Sequence, residues 1–179
     1  MNSIKGFLWL VVIALIAGVV VMFSGVINVA ATNPHNPVTE FVLSTTMDNS
    51  VRFHAKGITS PPLDSEQMVR EGFLHYREMC VGCHLAPGID STEIQKGLMP
   101  APPRLQEAAV EWQPAELFWV IKNGVKMTGM PAWGPTHSDE EIWAMVAFLE
   151  ELPHMTADQY KEMDKMAGPG EGDEHHHAD

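Results

Sequence analysis

The chain is poor in cysteine, in positive charge and in strand-like patterning. Two cysteines in 179 residues leave no disulfide framework and no four-cysteine zinc site. Eleven lysines and arginines stand against 23 acidic residues, a formal net charge of −12, which argues against a nucleic-acid partner. No basic residue lies between Lys5 and Arg52. No segment alternates apolar and polar residues over strand length, and no internal repeat is visible, so the expected class is all-α.

What is present begins at the N-terminus. From Phe7 to Val29 there is no charged residue, and a run of about 20 apolar residues spans a bilayer as a helix. A signal peptide normally has a shorter apolar region of about 7–15 residues. Length therefore favours a retained anchor over residues 1–31. Val29-Ala30-Ala31 has the small residues of a cleavage site, and processing is the alternative. Lys5 before the span and the missing bases after it place the N-terminus in the cytoplasm and the rest outside.

Both cysteines fall in Cys80-Val81-Gly82-Cys83-His84. Cys-x-x-Cys-His is the attachment pattern of a c-type haem, with two thioethers and the histidine as fifth iron ligand. A redox Cys-x-x-Cys would require a βαβ context, which this chain lacks. The motif sits in a segment of about 90 residues, 65–157, too small to bury its apolar surface well by itself. A covalent haem would supply the missing core. Residues 32–64 read as an extended tether, opened by Asn33-Pro34-His35-Asn36-Pro37 and closed by Thr59-Ser60-Pro61-Pro62. Within it, Phe41-Val42-Leu43 and Ser50-Val51-Arg52-Phe53 offer apolar contacts to the domain or to a partner. Residues 158–179 read as a polar tail. His175, His176 and His177 with Met155, Met163 and Met166 suggest a minor copper-handling role.

Three helices are expected in the domain. The first is capped at Asp64 or Ser65 and runs into Cys80, with Met68, Gly72, Phe73, Tyr76 and Met79 on one face. The second runs from Pro114 to Lys122 and stops at Asn123-Gly124. The third starts at Ser138, which forms a capping box with Glu141, and ends before Pro153. Between the last two lies Lys126-Met127-Thr128-Gly129-Met130-Pro131. A methionine there would give the iron a soft sixth ligand and raise its potential. Pro131 stiffens the backbone after Met130 and favours it, with Met127 as the alternative.

From about Asp64 to Leu152 the chain resembles a class I, mitochondrial-type cytochrome c, in a membrane-anchored bacterial version. The resemblance rests on Gly72-x-x-x-Tyr76-x-x-x-Cys80-x-x-Cys83-His84, Asn123-Gly124, Met130-Pro131-Ala132-Trp133 and the Ser138-capped last helix. It implies one covalent haem c with His84 and Met130 as axial ligands. It implies a crossing of Gly72 and Tyr76 with the last helix near Met145 and Phe148. It also implies that the Pro103 carbonyl accepts from His84, and that Trp112 or Trp119 meets a propionate. Leu85 stands where many members have glycine.

The functional expectation is a membrane-anchored electron carrier rather than an enzyme. Its donor would be a quinol-oxidising complex or a dehydrogenase. Its acceptor would be a haem-copper oxidase or another reductase. Two alternatives stay open. One is a fixed haem c subunit of a larger membrane complex, laid out like the small subunit of nitric oxide reductase. The other is a peroxidase-like or gas-binding protein with Met130 unbound and His137 nearby.

Overall fold

The computed structural model describes residues 2–168 and comprises two bodies, divided after Asn33. His175, His176 and His177 lie outside the described residues. The first body is helix α1, Asn2–Ser24. Its Ile4–Ser24 stretch is long and apolar enough to cross a membrane, and none of it is buried within the chain. A helix that is apolar all round needs a nonaqueous cover. The body itself offers none, which fits a single-pass membrane anchor.

The second body is helical throughout, with α2 at Pro37–Ala55, α3 at Glu66–His75, a π-helical turn at Tyr76–Cys80 and α4 at Val81–His84. Then come α5 (Glu93–Gly97), α6 (Leu105–Ala108), α7 (Pro114–Asn123), α8 (Asp139–Glu151) and α9 (Ala157–Ala167). Among the described residues there is no strand, only an isolated bridge between Ala86 and Ile89.

The three expected helices appear as α3, α7 and α8. Ser138 and Glu141 form the capping box, with the Glu141 amide 3.2 Å from Ser138 Oγ and the Ser138 amide 2.7 Å from Glu141 Oε2. This bonding to the Ser138 amide and hydroxyl lowers the exposed Glu141 carboxyl's pKa. The apolar stripe of α8 is buried from Ile142 to Leu149, Trp143 excepted. It crosses α3 at Gly72, where a Cβ would run into the carbonyl of Ala144 and reach within 2.8 Å of Phe148 Cβ. Glycine there lets two backbones touch, which offsets its cost of about 1 kcal/mol inside a helix. Phe73 and Tyr76 complete the crossing, with ring centroids 5.5 and 5.1 Å from Phe148. Trp143 lies outside the crossing, stacked at 4.2 Å on Phe118 of α7.

Two expectations need correction. The stretch expected to be an extended tether is helical over Pro37–Ala55. The Asn-Pro pair that looked like a helix breaker is its start. Asn36 caps the first turn through the Thr39 amide at 3.0 Å, and Pro37 occupies the first helical position, where no amide hydrogen is needed. The far end of α2 packs on α7 and buries Val51 and Ala55. Nor does the folded body stop at 157. Thr156 and Gln159 cap α9, which runs to Ala167 and buries Tyr160 against Phe73 at 5.4 Å. Met155 and Met163 pack on the core, so neither is a free thioether for copper, whereas Met166 is exposed.

Candidate haem site

The site is built from the end of α3, the π turn, α4 and two loops. The π turn, Tyr76–Cys80, adds a residue to the helical repeat and ends on Cys80, and such turns recur at functional positions. Cys80 and Cys83 follow on one helical turn, both unpaired and partly buried. Burial, then the neighbouring Cys83, pushes the Cys80 thiol up to about 12.

His84 ends α4, with its Nδ1 2.9 Å from the Pro103 carbonyl oxygen. A carbonyl can only accept, so Nδ1 carries the proton and the Nε2 lone pair is free for a metal. Burial lowers the imidazole's pKa against the opposing pull of the Pro103 bond, which favours that neutral tautomer. The loop holding Pro103 is tied to the segment that follows the motif, and that segment is tied to the motif. Arg104 donates to the Asp90 carbonyl at 2.6 Å, and the Thr92 hydroxyl donates to the Gly82 carbonyl. Tyr76, on the helix side, donates to the Leu85 carbonyl at 2.5 Å. Leu85 itself has φ +62 and ψ −175, a region that is nearly glycine-only.

The methionine loop is pinned to α7. Trp133 and Gly134 donate to the Ile121 and Lys122 carbonyls at 3.1 and 2.9 Å. Val125 donates to the Met130 carbonyl at 3.2 Å, and the Met130 amide donates to Thr128 Oγ1 at 3.1 Å. Gly124 turns the chain at φ +65, and a Cβ there would meet Pro131 at 2.6 Å. The two methionines part company on this scaffold. Met130 is partly buried against the core, whereas Met127 is 98 % exposed on a left-handed backbone. Thr128, which orients Met130, was not picked out from the sequence.

The two tryptophans offered for a propionate sit differently. Helix α7 turns Leu117, Phe118 and Ile121 inward, leaving Trp119 to stack on His54 of α2 at 5.4 Å. Trp119 also lines an open cleft of about 440 Å³ with Ile58 and Trp143. Trp112 is the one of the pair that packs on the core.

The chemistry of this donor set fits a c-type haem: two spaced thiols, an imidazole with one free nitrogen, and a half-buried thioether, all on an apolar core. Residues 67–149, just under half of the chain, match the family model for cytochrome c oxidase, cbb3-type, subunit III. The match agrees with the resemblance to class I c-type cytochromes, a family that carries covalent haem c. No curated protein matches the sequence.

Proposed function

We propose that this protein is a membrane-anchored, single-haem electron carrier. Cys80 and Cys83 would hold the haem, and His84 and Met130 would ligate its iron. A haem so held supplies reversible one-electron exchange. The observation that carries the reading is the His84 imidazole, fixed by Pro103 with its free nitrogen unspent. Met130 is favoured over Met127 because a ligand must sit inside the fold, and only Met130 does.

The protein's role is to keep this site rigid. Tyr76, Arg104, Thr128 and Gly124 each tie a ligand-bearing segment to the scaffold, so little rearranges when the charge changes. The edge around the motif serves as the docking surface. Ile94 packs beside Gly82 and Leu98 against Gly129, with exposed Met127 between Lys126 and Thr128. Lys96 and Lys126 are exposed in these same segments of an otherwise acidic chain. The anchor orients the haem domain to the extracytoplasmic side and concentrates it near membrane oxidases, reductases and quinol-oxidising complexes.

A second reading, a fixed subunit of a membrane redox complex, draws support from the match to an oxidase subunit. Mild detergent extraction separates the two. A carrier leaves its partners on dilution, and a subunit co-elutes with a stoichiometric oxidase or reductase. The ligand assignment is tested by substitution. Met130→Ala should keep the haem attached, open the sixth position and lower the reduction potential. Met127→Ala should change none of these, and an open site in Met127→Ala instead would overturn the assignment.

A further inference from the structure

We propose that His75 and His137 form a surface site for one borderline divalent transition ion, Zn²⁺ or Cu²⁺, separate from the haem ligands. His75 is the last residue of α3, and His137 directly precedes the Ser138 cap of α8. Their ring centroids are 5.3 Å apart at an interplanar angle of 78°. An ion binding two imidazole nitrogens at about 2.0–2.1 Å in tetrahedral geometry sets the ring centres about 5 Å apart. The pair thus already has the separation that a shared ion requires.

Each ring has a nitrogen to give. His137 Nδ1 lies 2.9 Å from Thr136 Oγ1, which holds the ring and leaves Nε2 uncommitted. The His137 backbone is fixed by its amide bond to the Trp133 carbonyl at 2.9 Å, and its ring stands edge-on to Trp133 at 5.4 Å. His75 makes no hydrogen bond among the described residues, so both its ring nitrogens are uncommitted. Both side chains are only partly buried, which leaves a route for the metal.

The electrostatics suit a cation. The Glu141 carboxylate, held by the Ser138 amide, is the nearby negative group, and both histidines contribute to lowering its pKa. Among the described residues no group of three or more histidine, cysteine, aspartate or glutamate side chains is placed to hold a metal ion. The site therefore offers two protein nitrogens and keeps open positions for water or an outside ligand, as accessible rather than structural metal sites do. Imidazole pairs suit zinc, copper and nickel over calcium and magnesium.

The test is a calorimetric titration of Zn²⁺ into full-length holoprotein carrying H175A, H176A and H177A, which removes the competing tail. The expected result is one saturable equivalent. His75→Gln and His137→Gln should each weaken it at least tenfold while leaving the haem spectrum unchanged. Absence of saturable binding, or unaltered affinity in both variants, would overturn the site. Anomalous scattering from zinc-soaked crystals of the unsubstituted protein gives a second reading that does not rely on folding of the variants. A peak bridging the two rings supports the proposal, and a peak confined to other residues defeats it. None of these readouts depends on which residue is the sixth haem ligand.

Discussion

The α3–α8 crossing and the α2–α7 contact are both helix packings, yet they tolerate change very differently. At the crossing, backbone meets backbone. Gly72 lies against Ala144, and Phe73, Tyr76 and Phe148 close around it with no spare volume. At the α2 contact, side chains carry the interface. Val51 and Ala55 are covered, but the first ten residues of the helix are almost wholly exposed. The surrounding contacts are a 4.0 Å pair between Arg52 and Glu116 and a stacked His54. A backbone contact has no rotamer with which to adapt, whereas a side-chain contact can repack. The crossing fixes the haem motif, and the flanking helices α2 and α9 brace it.

Substitutions sharpen this contrast. Gly72→Ala forces the two backbones apart and should cost about 3 kcal/mol or more, enough to leave little folded holoprotein. Denaturant titration or holoprotein yield would show it, and a loss below about 1 kcal/mol would mean that the helices do not touch. Tyr160→Ala should cost about 3 kcal/mol through the cavity left beside Phe73. Val51→Ala removes two buried methyl groups and should cost about 2 kcal/mol. No loss at Val51 would show that α2 does not pack on α7 in solution.

The smaller effects are more diagnostic. Tyr160 Oη is buried without a hydrogen-bond partner, and burial, then Asp164, pushes its pKa up to about 12. Tyr160→Phe should therefore be neutral or stabilising by up to about 1 kcal/mol. Clear destabilisation would reveal a hydrogen-bond partner for that hydroxyl. Arg52→Ala should cost no more than about 0.5 kcal/mol, because its ion pair is long and its own side chain is about half exposed.

These same regions differ in how far the sequence alone revealed them. The crossing, the Ser138 cap, the Asn123-Gly124 stop and the haem motif carry local signals that fix local geometry. The Pro103 bond to His84 followed from the family resemblance. Helix α2 was hidden because its start combines two residues, asparagine and proline, that also build turns. What makes it a helix is the cap geometry together with burial of Val51 on a distant element. Tyr160 gave no periodic signal, since α9 buries only that position fully and packs the rest from its edge. The choice between Trp112 and Trp119 was not legible, because a run of apolar residues does not reveal which side of α7 faces inward. Leu85 is the reverse case. Glycine is usual at that position, and the positive φ shows why, with leucine bearing a strain of about 1–3 kcal/mol.

The ligation of the iron decides between an electron carrier and an open-site haem protein. Visible spectra of the purified full-length protein, ferric and ferrous, with and without carbon monoxide, test it most directly. A low-spin c-type spectrum that carbon monoxide leaves unmoved, with the weak far-red band of sulfur-bound ferric haem, is the predicted result. A spectrum that shifts readily with carbon monoxide would contradict it and make gas binding or peroxidase chemistry the leading activity.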